Sequence, residues 1–316
     1  MANPPAESLD VRSPFEIIDP RNADDVRSVL ALAARAADVD GQPPFSDQTL
    51  IDARSGARTL VAERSVETGE IASVAAVSIA AASPASSPGD AAPAEAEAVV
   101  DPDERRRGHG ARLLDEVLRV TDHDALLWAH GDHPGARALA RSRGLAVTRE
   151  LLQLRLDPVE QNGTAADVRS FRVDVDDSEW LAVNAAAFAS HPEQGKLTQA
   201  DLDARIAEPW FDADDFLVAR DDGGAMIGFC WLKTVDGIGE FYAVGVAPEA
   251  QGSGLGRRLV ESGLARLVAR GIRTSSLYVD GDNVAAVSLY RSVGFVDHTI
   301  DVQYAPTPTP PLHAAG

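Results

Sequence analysis

The sequence predicts an α/β protein whose plan is written twice, each copy a mixed, mostly antiparallel sheet flanked by helices. Three observations predict it. Strand and helix periodicities in the second half run in the order β-α-α-β-β-β-α-β-α-β. A stretch of the first half aligns without gaps to a stretch of the second. The chain is 316 residues long, a length that suits two domains better than one.

Along the second half, an opening strand precedes two helices, Ser178–Ser190 and Thr198–Ile206. Phe216–Ala219 and Ala225–Lys233 read as strands around the turn Asp221-Asp222-Gly223-Gly224. Gly239–Val246 is rich in aromatic and β-branched residues, which fit a pleated surface. From Ser253 to Arg270, Leu255, Leu259, Val260, Leu264, Leu267 and Val268 recur at helical spacing, and Gly271 ends the helix. Thr274–Val279 is a further strand, Asn283–Ser292 a short helix, and Gly294-Phe295 leads into the last strand.

The first half repeats the plan. GDHPGARALARSRGL, from Gly131 to Leu145, lines up with GDNVAAVSLYRSVGF, from Gly281 to Phe295, and Gly108 and Gly110 answer Gly254 and Gly256. Two matches in the same order point to an internal duplication. Ala81–Ala96 is rich in Ala, Ser and Pro without apolar periodicity and reads as a flexible insertion. Residues 157–167 read as a polar linker. The expected division is therefore 1–156, a linker at 157–167, 168–304, and a disordered tail at 305–316.

Composition narrows the function. A net charge of −20 argues against nucleic acid or an anionic membrane as partner. No apolar run is long enough to span a membrane, and the start, MANPPAESLDVRS, lacks the pattern of a secretory signal. The one cysteine, Cys230, sits between Phe229 and Trp231 and reads as a small strand hydrophobe rather than a nucleophile; it excludes a disulfide framework and a Cys-rich zinc site. A cytoplasmic monomer without a metal is expected.

The chemistry is concentrated in Val246-Ala-Pro-Glu-Ala-Gln251-Gly-Ser-Gly254-Leu-Gly256-Arg257, a strand running through a glycine loop into a helix. That geometry presents unpaired backbone N–H groups to an anion, and glycine lets phosphate oxygens approach the backbone. Rossmann spacing and a Walker A Gly-Lys-Ser/Thr are both absent.

With Val-x-Pro before the loop and Asp-Asn-x-x-Ala-x-x-x-Tyr-x-x-x-Gly-Phe after it, the second half resembles the GNAT acetyltransferase superfamily. The resemblance implies acetyl-CoA as co-substrate. Its pyrophosphate would lie on Gln251, Gly252, Ser253, Gly254, Leu255, Gly256 and Arg257, and its pantetheine arm along Val244, Gly245 and Val246. Further contacts would come from Asn283, Val284, Ala285, Ala286, Val287 and Ser288. Tyr290 would donate a proton to the departing thiolate. In so acidic a chain, Arg105-Arg106-Arg107 and Arg257-Arg258 are the basic clusters expected to face the phosphates.

Asn184-Ala-Ala-Ala-Phe188, His191-Pro-Glu-Gln-Gly195, Gly239-Glu240-Phe-Tyr-Ala-Val-Gly245-Val and Tyr278-Val-Asp-Gly-Asp-Asn narrow the resemblance. With two GNAT copies in a chain of this length, they resemble the mycothiol synthase family of actinobacteria. That resemblance implies acetylation of the cysteine amine of cysteinyl-glucosaminyl-inositol, with Asp47, Glu193, Lys233, Glu240 and Tyr278 as acceptor contacts. The surroundings of Asp47, PPFSDQTL, equally read as a helix N-cap or a surface aspartate. An α-ammonium, with a pKa of about 7.7–8.0, must lose a proton before it attacks a thioester, and Glu240 is the candidate base, directly or through a water.

The first half departs from the active pattern. Ala140 stands where the second half has Tyr290, and the position answering Glu240 falls near Ala94 and Glu95 in the insertion. The loop Arg105-Arg106-Arg107-Gly108-His109-Gly110, with Ala98, Val99 and Val100 before it, keeps the phosphate geometry. Coenzyme A binding without catalysis is expected there, with His109 as a loop side chain. The competing readings are a GNAT enzyme acting on another small-molecule or peptide amine, and a non-catalytic acyl-CoA sensor; the sensor needs neither Glu240 nor Tyr290.

Overall fold

The computed structural model describes residues 13–78, 93–160, 167–189 and 194–307. The first run of elements is β1 (Phe15–Ile18), α1 (Ala23–Asp40), α2 (Asp47–Ser55), β2 (Thr59–Arg64), β3 (Ile71–Ser78), β4 (Ala94–Val100), α3 (His109–Val120), β5 (Ala125–Ala129), α4 (Pro134–Ser142) and β6 (Leu145–Leu156). The second run repeats that order: β7 (Val168–Ser170), α5 (Asp177–Ala187), α6 (Gln199–Ile206), β8 (Phe216–Arg220), β9 (Met226–Val235), β10 (Ile238–Val246), α7 (Leu255–Ala269), β11 (Thr274–Asp280), α8 (Val284–Ser292) and β12 (Val296–Pro306).

Two compact units result, Met1–Glu150 with Asp301–Gly316, and Leu151–Ile300. In the first, the strands lie in the order β1-β2-β3-β4-β5, and β12 pairs with β5 through Val302↔Ala129 to Tyr304↔Leu127. In the second the order is β7-β8-β9-β10-β11, and β6 pairs with β11 through Ser275↔Leu156 to Asp280↔Leu151. Each sheet holds one parallel pair, β4 with β5 or β10 with β11, among antiparallel neighbours.

Several boundaries differ from those read in the sequence. The division falls at 150/151 rather than in 157–167, because each unit takes its last strand from the end of the other half of the sequence. Val159, within the expected linker, is buried in the second unit's core, and its N–H donates to the Arg273 carbonyl at 2.7 Å. Ala94–Ala96 are strand rather than insertion, since β3 pairs with Glu95 and Ala96 in unbroken register and Ala94 pairs with Ala125 of β5. The remainder of the insertion, 79–92, lies outside the described residues, as do 161–166 and the tail from 308. Ala305 and Pro306 continue β12 instead of opening the tail.

The second unit's sheet has two covered faces. One packs on α7 and α8 through Leu154, Leu232, Phe241, Leu264, Leu277 and Phe295. The other packs on α5 through Trp180, Phe216, Phe229, Trp231 and Ala243. Trp231 stacks on Phe216 at 4.2 Å and meets Trp180 edge-on at 5.7 Å; such pairs add about 0.5–1.5 kcal/mol each beyond the area they bury. Between Phe241 and Ala243 the register on β9 slips, a bulge that turns Phe241 and Ala243 to opposite faces. β4 has no such slip against β3.

Candidate active site

The glycine loop of the second unit has the shape its sequence demands. Gly252 and Gly254 take φ of +74° and +79°, where a side chain is strained. α7 starts with no side-chain cap, so its first N–H groups are left to an external acceptor. A Cβ on Gly252 would meet nothing within 4 Å, which leaves open approach to the backbone. Gln251 Nε2 donates to the Val246 carbonyl at 3.2 Å and fixes the loop to the end of β10. These features fit a pyrophosphate.

Arg257 is engaged elsewhere, paired with Glu261 at 3.5 Å and hydrogen-bonded to Ser292 on α8. Arg258 instead folds back onto the loop, Nη1 donating to the Ser253 carbonyl at 3.2 Å. Asn283 caps α8, its side chain accepting from the Ala286 N–H at 3.1 Å, so its first role is structural.

The parallel register of β10 with β11 runs from Ile238↔Thr274 to Phe241↔Leu277, and β10 continues beyond it through Val244, Gly245 and Val246. Glu240 stands just before that point, directly opposite Lys233 on β9 and in register with Ser276 on β11. All three project to the α5 face. Tyr290 comes from the other face, buried in the core beneath α7 and α8 and edge-on to Phe295 at 5.9 Å. Burial, with a smaller contribution from Cys230, pushes its phenol well above the usual tyrosine range, so it stays protonated at neutral pH. Cys230 is fully buried and its thiol is pushed up by desolvation, the inert hydrophobe its neighbours suggested.

Around Glu240, Lys233 and Tyr278 engage further groups that the sequence did not single out: Trp210, Tyr242, Arg205 and Gln153. Trp210 lies under the Lys233 ammonium, 5.5 Å from nitrogen to ring centre. Tyr242 packs on Trp210 at 5.1 Å, and its hydroxyl accepts from Arg205 Nε at 3.0 Å. Tyr278, about half exposed, accepts from Gln153 Nε2 of β6 at 2.9 Å. Aromatic residues on one face at strand spacing were the available signal, but nothing local ties Trp210 or Gln153 to Glu240.

The motif Asn184…Gly195 has a packing reason. Asn184, buried in α5, donates to the Gln194 carbonyl at 2.6 Å and accepts from the Gln194 side chain. A Cβ on Gly195 would fall 2.2 Å from the Phe188 carbonyl oxygen, so only glycine fits. Glu193 itself lies outside the described residues. Asp47 opens α2 as its first residue; the N-cap is Ser46, whose hydroxyl accepts from the Thr49 N–H.

The first unit reproduces the loop. Arg105 has the same backbone angles as Gln251, φ −65° and ψ 156°, and its Nε likewise reaches the carbonyl at the end of the strand, Val100. Arg106 stands where Gly252 does and takes φ +66°, a conformation an arginine holds only under constraint. Arg112 Nη1 donates to the Arg107 carbonyl as Arg258 does to Ser253. A cavity of about 720 Å³ opens beside this loop, lined among others by Ala98, Val100, Gly108, Gly110, Trp128 and His133.

Charge is arranged differently from expectation. Arg105 is held bidentate by Asp40 at 2.7 and 2.8 Å, and Arg107 pairs with Glu104, so neither is an uncommitted phosphate ligand. His109 is the first residue of α3 rather than a loop side chain, its Nδ1 2.8 Å from the buried Glu63. Ala140 is buried where the second unit has Tyr290.

Glu95 answers Glu240, pairing with Leu126 of β5 and Ser78 of β3 as Glu240 pairs with Ser276 and Lys233. A second carboxylate, Glu97, stands two residues on, at the last parallel pair Glu97↔Trp128. It is already engaged, accepting from the Ser46 N–H at 2.8 Å and hydroxyl at 3.0 Å, and lying 3.5 Å from His130. His130 also meets Asp301 at 3.1 Å. Burial opposes a charge on the imidazole, but Asp301 and Glu97 together outweigh it and push its pKa up to about 9. Glu97 in turn is held below the usual carboxylate range, burial being outweighed by His130, Ser46 and Thr49.

The Acetyltransferase (GNAT) family matches residues 180–295. A mycothiol acetyltransferase of Clavibacter michiganensis is 45% identical over 292 residues, covering 89% of this chain and 91% of that protein. Another, of Streptomyces avermitilis, is 46% identical over 285 residues, covering 88% and 90%. Among solved structures, a GCN5-related N-acetyltransferase from Sphaerobacter thermophilus superposes with a TM-score of 0.69 at 20% identity, over 94% of this chain and 98% of that one. A tandem GNAT protein from the clavulanic acid biosynthesis pathway gives 0.64 at 18% identity, over 94% and 99%. At those identities the structural likeness establishes the fold.

Proposed function

Because the chain belongs to the mycothiol acetyltransferase family of GNAT N-acetyltransferases, we propose that it acetylates the cysteine amine of cysteinyl-glucosaminyl-inositol, the last step of mycothiol formation. The observation that supports this most is the disposition of Glu240 and Tyr290 on opposite faces of the sheet, at the place where β10 runs on past its pairing with β11. An acceptor approaching from the α5 face and a cofactor held on the α7 face would meet there.

Acetyl-CoA, when bound, supplies an activated acetyl thioester. The backbone of Gly252–Gly256 and the start of α7 would hold its pyrophosphate, and Val244–Val246 its pantetheine arm. Glu240 takes a proton from the acceptor ammonium, directly or through a water, and frees the nitrogen lone pair. The N–C bond forms and the C–S bond breaks; Tyr290 gives a hydrogen bond and then its proton to the leaving sulfur, and the surplus proton of the acylated nitrogen, passed through water, restores the phenol. A backbone N–H near Val246 polarises the carbonyl. Lys233 and Tyr278, with Glu193 and Asp47, would hold the sugar and inositol hydroxyls, which need donors and acceptors rather than an apolar slot. In this reading the first unit binds coenzyme A through Ala98–Val100 and Arg105–Gly110 without catalysing, and the enzyme works as a cytoplasmic monomer without a metal.

The test is free-thiol release from acetyl-CoA with a panel of amines. Cysteinyl-glucosaminyl-inositol should be turned over fastest, giving the N-acetyl product with its thiol free. Faster turnover of peptide N-termini would overturn the assignment.

A further inference from the structure

Lys233, Glu240, Ser276 and Arg155 form one row across β9, β10, β11 and β6, each in direct register with the next. Residues in direct register share a face, with Cβ atoms about 4.5–5.5 Å apart. Arg155 therefore stands two strands, roughly 10 Å, from Glu240. The residue between them is a serine, too short to screen a guanidinium from a carboxylate. Arg155 Nε is buried and has no hydrogen-bond partner among the described residues, an unusual state for so strong a donor. Nothing in the sequence points to Arg155, because β6 belongs to the first half and reaches this sheet only through the fold.

Among the described residues, few charges surround the row. Tyr278 and Gln153 are bonded to each other on the same face. Arg205 reaches Tyr242 beside the row and adds positive charge. Asp280 lies four residues along β11 from Ser276, roughly 13 Å away. His298 on β12 is exposed, and its pKa is lowered by burial of the ring and by the neighbouring Arg155 charge. Within the row, one carboxylate thus sits between two cations, and its four residues together carry a net positive charge.

We propose that Arg155 is a positioning residue of the acceptor site, which with Lys233 brackets Glu240 between two cations and holds the acceptor amine there in its neutral, nucleophilic form. The proposal rests on the reading of Glu240 as the base. An ammonium meets two like charges and one opposite charge in the row, so its protonated form is disfavoured and the proton passes to Glu240 or to water. The same cations keep Glu240 ionised and able to accept it. Arg155 touches no reacting atom; it acts through the field it sets at the amine.

The test is the pH dependence of kcat and kcat/KM in the full-length protein, with acetyl-CoA and cysteinyl-glucosaminyl-inositol. Arg155→Met should move the acidic limb upward by about 0.3–1.2 pH units, the Coulomb effect of a charge at roughly 10 Å in an effective dielectric between about 80 and 20. Turnover well above the limb should recover most of the parent value. Arg155→Lys, which keeps the charge, should restore the limb, and His298→Gln should leave it in place. Circular dichroism checks the fold; if the Met variant does not fold, Arg155→Gln takes its place in the same test. A fall by one factor at every pH, or an unmoved limb, would overturn the proposal. Glu240→Gln separates the two readings. If it collapses turnover while Arg155→Met leaves the limb unmoved, only the role of Arg155 fails; if it keeps parental turnover and limb, the reading of Glu240 as base fails.

Discussion

His130 is partly buried against Asp301 at 3.1 Å and Glu97 at 3.5 Å, and its charge joins β12 to β4 within the first unit. Its pKa is pushed to about 9 from an ordinary 6.5. A group with a raised folded-state pKa stabilises fully below its unfolded value and loses that contribution as pH rises through the folded one. A shift of about 2.5 units at 1.36 kcal/mol per unit gives about 3 kcal/mol below pH 6.5, falling to about 1.4 at pH 8 and near zero by pH 10. The lowered pKa of Glu97 reflects the same pair and is counted once. Urea denaturation at pH 6, 8 and 10 measures this, with His130→Gln as reference so that other titrations cancel. With a urea slope of about 2–3 kcal/mol/M, the gap between parent and variant midpoints should shrink by about 1 M from pH 6 to pH 10. A gap independent of pH would refute the reasoning and mean that His130 serves as a neutral packing residue.

The other expectations concern turnover and cofactor binding. Tyr290→Phe keeps the buried ring and removes the donor, so kcat should fall by about 10²–10⁴-fold with KM little changed, measured by initial rates of thiol release. Gly254→Val places a branched side chain at φ +79°, costing about 1–2 kcal/mol of backbone strain; calorimetry should show coenzyme A affinity at the second unit largely lost in a folded protein, and unchanged affinity would refute the loop placement. Gly108→Val, where the new Cβ meets only the flexible end of Arg112, should remove coenzyme A from the first unit with little effect on turnover. A loss there as large as that of Tyr290→Phe would mean that the first unit catalyses.

Much of the molecule was legible because it is local. Helical spacing from Leu255 to Leu267, the β-branched and aromatic run of β10, and the glycines at 252 and 254 each follow from short-range sterics and burial, so the order of elements and the two loops could be read directly. The duplication was legible in the alignment of Gly131–Leu145 with Gly281–Phe295 and in the paired glycines, and the structure gives Arg105 and Gln251 the same backbone angles.

What remained was decided by contacts between residues far apart in sequence. A one-residue bulge at Phe241/Ala243 separates the face that bears Glu240 from the face that bears Val244, and no local propensity fixes where a sheet slips. Arg257 and Arg258 are equivalent as neighbours in sequence; only the position of α8, with Ser292, turns the first away from the loop while the second folds onto it. Glu97 stands at the last parallel pair of the first unit, two residues beyond Glu95, because β4 pairs on without the bulge of β10. Arg155 enters the acceptor row because β6 leaves its own half to pair with β11. Register and strand partnership are non-local, set by the whole sheet and its covering helices, and that is why the chemistry of each half was readable while the company its residues keep was not.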